Sequence, residues 1–129
     1  MSFTLFDYID RRGDNDFAIW TRSLPKRERA ILNQKLDMLA TSGGDLGPKL
    51  LSDTPSPKIK KIRINGTTAL RPLLCKGPID NDREFTLLRG ASERDRKFFP
   101  PNALAEAESR RSEVIANPTR RCMHERIPP

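Results

Sequence analysis

The chain has 129 residues, of which 36% are hydrophobic and 32% are charged, so it has the length of one domain, and either its core is small or part of the chain stays unfolded. It has no apolar run of the roughly 20 residues that a transmembrane helix needs, and its first residues lack the basic and apolar regions of a secretory signal. These features favour a cytoplasmic location, where Cys75 and Cys122 are expected to be free thiols.

The net charge of +7 comes entirely from the second half of the chain. Residues 1–57 include 8 basic and 8 acidic residues, whereas residues 58–129 include 16 basic and 9 acidic residues. Such a one-sided excess indicates a polyanionic partner, which could be RNA, DNA, a ribosome or an acidic protein.

The first half of the chain predicts one strand followed by two helices. Alternation with aromatic residues favours a strand over about Ser2–Ile9. Asp14 or Asp16 can cap a short helix that carries Phe17, and Pro25 suits the first turn of a second helix that runs to about residue 40. Together these two helices predict a helical hairpin.

The second half predicts a three-stranded antiparallel meander after a loop over residues 45–57. The hydrophobic period changes to two, which favours strands over Lys58–Ile64, Thr67–Cys75 and Glu84–Arg89. Asn65-Gly66 is the dipeptide most typical of a tight hairpin turn, because both central turn residues need a positive φ.

A last helix over about Pro101–Asn117 completes the ordered part of the chain. Pro72 falls within the middle strand of the meander, where it removes a ladder hydrogen bond, so we expect a bulge there. Helices and strands are segregated after the first strand, which predicts an α+β fold rather than a doubly wound parallel sheet. We therefore expect one domain over residues 1–117 and a basic, disordered tail over residues 118–129.

Metal and cofactor chemistry have little support in the sequence. Cys122 and His124 lie in the predicted tail and Cys75 is far away, so the spacing of a structural zinc site is absent. No glycine-rich phosphate loop occurs either. We therefore predict neither a metal nor a cofactor.

The basic residues of the predicted strands are the unusual feature. Alternation places Lys61 and Arg63 on one face and Lys60 on the other, and either Lys60 or Lys61 lies opposite Arg71, depending on the length of the turn. Residues 58–99 contain 11 basic and 5 acidic residues. Cations that lack carboxylate partners suggest a phosphate-binding surface, and the alternative is an edge strand that lysines protect from aggregation.

Several segments, taken in order, resemble one known family. They are the Leu24-Pro25 hairpin, Ile59-Lys60-Lys61-Ile62-Arg63-Ile64, Leu70-Arg71-Pro72-Leu73, and residues 87–97 running into Pro100-Pro101 and the last helix. Their order and spacing resemble the RelE/ParE toxin superfamily of type II toxin–antitoxin modules, nearest its HigB-like, phage-associated branch. The resemblance covers about residues 3–117 and implies a single RelE-like domain.

The resemblance implies a metal-independent endoribonuclease that cuts mRNA in the ribosomal A site and is silenced by a cognate antitoxin. By this resemblance, Arg63 and Arg71 hold the phosphate, Lys61 is the base or an electrostatic contact, and Arg89 steadies the leaving oxygen. The residues expected to bind the RNA backbone are Lys58, Lys60, Arg94, Arg96 and Lys97. The antitoxin is expected to cover the Lys58–Arg71 face or the groove beside the helical hairpin.

The sequence departs from many relatives, which carry a Tyr or His near the last strand. Here the only tyrosine is Tyr8 and the only histidine is His124, both far from that strand. Phe98 and Phe99 cannot transfer protons, although either can stack on a base. The alternative is therefore a non-nuclease member, either a gyrase-inhibiting ParE-like toxin or an inactive antitoxin-binding protein.

Overall fold

The computed structural model of the chain describes residues 2–43, 46–47 and 50–129. The first half contains β1 (Thr4–Tyr8), α1 (Asp16–Ser23), α2 (Lys26–Ser42) and β2 (Leu51–Asp53). The second half contains β3 (Lys60–Ile62), β4 (Ala69–Leu70), β5 (Leu73–Lys76), β6 (Glu84–Arg89), β7 (Ser92–Arg94), β8 (Lys97–Phe99), α3 (Ala103–Ala116) and β9 (Arg121–Met123). The fold is α+β, so the class predicted from the sequence is confirmed.

The strand and the two helices predicted for the first half are present. The side chain of Asn15 accepts a 2.9 Å hydrogen bond from the amide of Ala18 and caps α1, so the prediction of Asp14 or Asp16 as the cap is wrong. Pro25 lies immediately before α2, where its missing N–H leaves no helical hydrogen bond unmade. The loop predicted over residues 45–57 lies partly outside the described residues, and its described part contains β2.

A six-stranded sheet in the order β2-β3-β5-β6-β1-β9 forms the centre of the molecule. The neighbours β3, β5 and β6 are antiparallel, which confirms the predicted meander. β1 adds to β6 in the parallel direction, and β9 pairs with the other side of β1 in the antiparallel direction. The first and last strands of the chain are therefore neighbours.

Helices cover both faces of this sheet. The buried cluster beneath α1 and α2 contains Phe17, Leu24, Leu32, Leu36, Leu39, Ile62, Ile64, Leu70, Leu74, Phe85 and Leu87. The buried cluster beneath α3 contains Tyr8, Ile59, Leu73, Cys75, Leu88, Ala91, Ala103, Ala107 and Val114. Each large apolar side chain that is fully buried contributes about 1.5–3 kcal/mol. Among the described residues, no helix has both the length and the apolar character needed to cross a membrane.

The strand predicted over Thr67–Cys75 is divided between two sheets. Leu70 forms a bridge with Ile64, so residues 65–69 form a five-residue loop and Asn65-Gly66 is not a tight turn. At Pro72 the chain leaves β4, which pairs with β7 in a small sheet of order β4-β7-β8, and enters β5 of the large sheet. Proline suits this position because it cannot donate to a strand ladder.

The C-terminal segment is ordered, so the prediction of a disordered tail over residues 118–129 is wrong. β9 pairs with β1, and the guanidinium of Arg121 forms an ion pair with the buried Glu84. Further along, the carbonyl of Ile127 accepts a 2.8 Å hydrogen bond from Asn33 on α2. The basic C-terminal segment thus forms the edge strand of the sheet, because its cations form ion pairs with carboxylates of other elements.

A buried carboxylate fixes the tail to the start of α1. Asp7 is only 2% exposed, and its two oxygens accept hydrogen bonds from Asn15 (2.8 Å) and from His124 Nδ1 (2.9 Å). The thiol of Cys122 lies 3.7 Å from Asn15, and burial and the nearby Asp7 raise its pKa. A thiol with a raised pKa is a poor nucleophile, so this cluster joins three segments rather than forming a catalytic site.

The only tyrosine of the chain offers a direct test of the packing beneath α3. Tyr8 Oη donates a 2.7 Å hydrogen bond to Glu113, and burial together with this carboxylate raises the pKa of Tyr8 to about 12. Absorbance of the tyrosinate in the folded protein is therefore expected to rise near pH 12, and the Glu113→Gln variant is expected to titrate at lower pH. The stabilisation from the neutral phenol is complete below the unfolded pKa of 10.0 and is lost as the pH rises through about 12. Titration near pH 10 with circular dichroism unchanged would contradict this packing.

Candidate nucleic-acid interface

Two of the four predicted catalytic residues, Lys61 and Arg89, lie on the sheet face that α3 covers. Lys61 pairs with Leu73, and Leu73 pairs with Arg89, so these three residues form a row across β3, β5 and β6. Directly paired residues of antiparallel strands point to the same side, and Leu73 packs against α3. Arg71 lies between β4 and β5 and is connected to Lys61 through Glu93.

A bulge in β6 brings Arg89 into this row. Leu74 pairs with Leu87 while the adjacent Leu73 pairs with Arg89, so Leu88 is an extra residue in β6. Without the bulge, strand alternation would place Arg89 on the face of Leu87, beneath α1 and α2. The irregular pairing thus determines which face carries Arg89.

Arg71 is the most buried of the predicted site residues, at 6% exposure. Its Nη1 donates to the carbonyls of Ile64 (3.3 Å) and Leu70 (2.8 Å), and its Nη2 donates to Asn65 Oδ1 (3.1 Å). Its Nε donates a 2.9 Å hydrogen bond to Glu93 Oε1. The guanidinium therefore closes the loop over residues 65–69 as well as contributing charge to the surface.

Glu93 connects the two central cations. The same oxygen, Oε1, accepts hydrogen bonds from Lys61 Nζ at 3.0 Å and from Arg71 Nε at 2.9 Å. Burial raises the pKa of Glu93, but the hydrogen bonds and charges of the two cations outweigh burial and lower the pKa below its ordinary value. Near neutral pH the cluster therefore contains one anion and two cations in contact.

The prediction that the strand cations lack carboxylate partners is wrong for four residues. Lys61 and Arg71 share Glu93, and Lys60 forms an ion pair with Asp53 on β2. Arg89 Nε lies 3.5 Å from Glu106 on α3, which is close enough for an ion pair although the geometry is not that of a hydrogen bond. These partners come from other elements, so strand alternation alone gave no sign of them.

The predicted cross-strand pairs of like charge are also wrong. Lys60 lies opposite Leu74 and Lys61 lies opposite Leu73, so neither lysine faces Arg71 directly. The long loop shifts the register by more residues than either predicted turn allows. The electrostatic cost that such pairs would carry is therefore absent, and Glu93 joins the cations instead.

Another group of predicted site residues is exposed and free of ion pairs among the described residues. These residues are Lys58, Arg63, Arg94, Arg96 and Lys97. Three of them lie on the hairpin formed by β7 and β8, where Arg94 pairs with Lys97. This hairpin presents three cations to solvent immediately beside Glu93.

The tip of this hairpin has a strained backbone. Asp95 has φ 52° and Arg96 has φ 64°, and positive φ at both central residues is what a type I′ turn requires. Aspartate tolerates this backbone conformation better than most residues, whereas at Arg96 it costs about 1–2 kcal/mol. The sequence keeps a long cation at a position where glycine would remove the strain, which is typical of a functional position.

A cavity of about 540 Å³ opens next to Glu93. Its lining residues are Thr67, Thr68, Ala69, Ser92, Glu93, Arg94 and Phe99. The ring of Phe99 is 49% exposed, whereas Phe98 packs against the core with Lys61 Nζ 5.5 Å from its ring centre. The cavity thus combines an aromatic ring, hydroxyl groups, a cation and a carboxylate, which are groups that recognise nucleotides.

Glu93 is the central residue that the sequence analysis missed. It lies within a basic stretch, and the signal available was a single carboxylate between Arg89 and Arg94.

Among the described residues, no three histidine, cysteine or carboxylate side chains form a group that could hold a metal ion. A scan with protein-family models finds no match for the chain, and searches of curated proteins and of solved structures also find none.

Proposed function

We propose that this chain is the toxin of a type II toxin–antitoxin module, of the RelE/ParE type and nearest its HigB-like branch. Its activity is metal-independent, ribosome-dependent cleavage of mRNA in the cytoplasm, and a cognate antitoxin silences it. The observation that carries the proposal is the carboxylate of Glu93 held between Lys61 and Arg71, beside the exposed cations of the β7–β8 hairpin. A proton acceptor and phosphate-binding cations are the groups that RNA cleavage needs.

The reaction is attack of a ribose 2′-oxygen on the adjacent phosphorus. The proton of the 2′-hydroxyl passes to Glu93, the new bond between the 2′-oxygen and phosphorus forms, and the bond to the 5′-oxygen breaks. Water supplies the proton that the leaving 5′-oxygen takes up. The products are a 2′,3′-cyclic phosphate and a 5′-hydroxyl end.

In this mechanism Lys61 is a cation and Glu93 is the base, which changes the roles that the resemblance implied. Lys61 Nζ already forms an ion pair with Glu93, so we assign Lys61 to charge stabilisation and Glu93 to proton transfer. Lys61 and Arg71 stabilise the charge that develops on the phosphate, and Arg89 lies one strand beyond Leu73 to steady the leaving oxygen. Arg63 binds the adjacent backbone as an exposed cation.

Removal of the hairpin cations tests RNA binding without removing a buried contact. A triple variant with glutamine at Arg94, Arg96 and Lys97 keeps the fold because these side chains are exposed and form no ion pair in the described part of the chain. We expect its affinity for single-stranded RNA to fall roughly 100-fold at 0.1 M salt, because each phosphate contact that is lost reduces the number of counterions released on binding. Fluorescence anisotropy with a labelled oligonucleotide measures the loss.

The cellular experiment is inducible expression with mapping of new mRNA 5′ ends. The wild-type chain is expected to arrest growth and to create 5′-hydroxyl ends within codons only where ribosomes translate, and the hairpin triple variant is expected to do neither. A matched control replaces three other exposed cations, Arg11, Arg12 and Lys26, by glutamine and should behave as wild type. Growth arrest without new 5′ ends would contradict the nuclease function.

A specific observation favours the second candidate, a member that binds without cutting. Glu93 contacts both central cations, so its charge offsets part of the positive potential that a phosphate would need. In a gyrase-inhibiting or antitoxin-binding chain this ion-pair cluster only stabilises the fold. Expression of a gyrase inhibitor causes DNA damage, whereas expression of an inactive antitoxin-binding protein has no effect. The antitoxin of either candidate is expected to carry an acidic segment that covers the β7–β8 hairpin.

A further inference from the structure

A second basic cavity lies at the end of the large sheet, where β3 begins and β5 ends. It has a volume of about 340 Å³. Its lining residues are Pro57, Lys58, Lys60, Lys76, Asn81 and Arg111. Four of these six residues are cations and none is a carboxylate, which distinguishes this cavity from the one beside Glu93.

The guanidinium of Arg111 is the least satisfied cation of this group. Its Nε is buried and has no hydrogen-bond partner within the part of the chain that the structure describes. A buried donor without an acceptor costs about 1–3 kcal/mol, and this cost is recovered when an acceptor binds. Arg111 lines the cavity, so a rotation of its side chain that turns Nε toward the cavity would let an anion supply that acceptor.

The lysines of the cavity also lack strong partners. Lys58 and Lys76 are exposed and form no ion pair among the described residues. Lys60 contacts Asp53, whose side chain is 82% exposed, and an ion pair so open to solvent contributes little. The like charges around this cavity repel one another. A bound anion would reduce this repulsion, which favours binding.

We propose that this cavity is a second phosphate site, which binds a backbone phosphate of single-stranded RNA away from the scissile bond. Arg111 Nε donates to a phosphate oxygen, while Lys58, Lys60 and Lys76 surround the remaining charge. That the phosphate belongs to RNA rests on the proposed function, whereas the affinity of the cavity for phosphate does not. Neighbouring residues of β3 contribute to the two sites, since Lys60 lines this cavity and Lys61 binds Glu93.

Nuclear magnetic resonance with inorganic phosphate tests the cavity itself. Sodium phosphate is added in chloride buffer at constant ionic strength, and the Nε–H signal of Arg111 is followed with the amide of Asn81. Both are expected to shift, and the Lys58→Gln, Lys76→Gln double variant should bind phosphate several-fold more weakly than wild type. A double control, Arg11→Gln with Lys26→Gln, removes the same charge elsewhere and should leave the affinity unchanged. Absence of any shift would overturn the phosphate site.

RNA binding by the same variants tests the source of the phosphate. For a single-stranded oligonucleotide, the slope of log affinity against log salt is expected to fall by about 1.4 in the Lys58, Lys76 variant and affinity to fall roughly 25-fold at 0.1 M salt. If wild type binds RNA and this variant matches the double control, the RNA assignment is overturned while the proposed function stands. If phosphate shifts Arg111 but wild type binds no RNA, the proposed function fails and the phosphate site stands alone. Displacement of phosphate by an oligoglutamate peptide but not by RNA would assign the cavity to an acidic protein and overturn the proposal.

Discussion

Replacement of Arg121 by alanine is expected to reduce the free energy of unfolding by about 3–5 kcal/mol, because it leaves the buried carboxylate of Glu84 without its partner. The guanidinium also stacks over Phe6 at 3.9 Å and holds β9 against β1. Domains of this size are stable by only about 5–15 kcal/mol, so the loss is a large fraction of the total. Urea unfolding followed by circular dichroism measures it.

Two further variants separate the loss of the ion pair from the loss of a positive charge. Arg120→Ala removes the neighbouring cation, which forms no ion pair among the described residues, and should change stability by less than about 0.5 kcal/mol. The double variant Arg121→Met, Glu84→Met removes both charges and should recover most of the stability, since an apolar pair of similar volume often replaces a buried ion pair without cost. If Arg121→Ala unfolds at the same urea concentration as wild type, the ion pair between Arg121 and Glu84 does not stabilise the fold.

Replacement of Glu93 by glutamine is expected to abolish mRNA cleavage while RNA binding persists. Glutamine keeps the shape and can still accept hydrogen bonds from Lys61 and Arg71, but it cannot take a proton from a ribose hydroxyl. A positioned general base contributes about 100- to 10,000-fold to a rate, and the lowered pKa of Glu93 makes it a weak base, so cleavage should fall by about 100-fold. The number of new 5′-hydroxyl ends after expression, together with RNA affinity of the purified protein, measures the two effects separately.

The matched control for this prediction is Glu108→Gln, an exposed residue of α3 with no ion pair in the described part of the chain. It should cleave and bind as wild type does. The Glu93→Gln variant should bind RNA at least as tightly as wild type, because one negative charge is lost beside the hairpin cations. Unchanged cleavage by Glu93→Gln would exclude Glu93 as the base, and loss of RNA binding would show that its charge positions Lys61 and Arg71 instead.

Most helices and strands were predictable because the signals for them come from residues that are close together in sequence. The period of two around Ile62–Ile64 is typical of a strand with one buried and one exposed face, since both isoleucines are buried and Arg63 is exposed. Nearly every position of β6 is buried, so its short apolar run indicates a strand. Likewise, Pro25 and the apolar residues of α2 describe a helix without reference to any other segment. The α+β class follows from the order of such local signals.

Local turn preferences predicted the tight turn in the wrong segment. Asn65-Gly66 has the preferred residues, yet Arg71 binds the carbonyl of Ile64 and the side chain of Asn65, which stabilises a longer loop. The tight hairpin occurs instead at Asp95-Arg96, where Arg96 adopts a positive φ that arginine seldom takes. Contacts with the rest of the fold therefore outweighed local preference at both places.

The sequence by itself determined the class of fold, the one-sided positive charge and the cations from which a phosphate-binding surface can be built. Only the tertiary structure decided that Glu93 lies between Lys61 and Arg71, and that the basic C-terminal segment forms β9 beside β1. The physical reason is that charge composition is a property of residues one at a time, whereas neutralisation depends on which carboxylate the folded chain brings within about 4 Å. Residues 32 positions apart, such as Lys61 and Glu93, meet only through the register and bulges of the sheets.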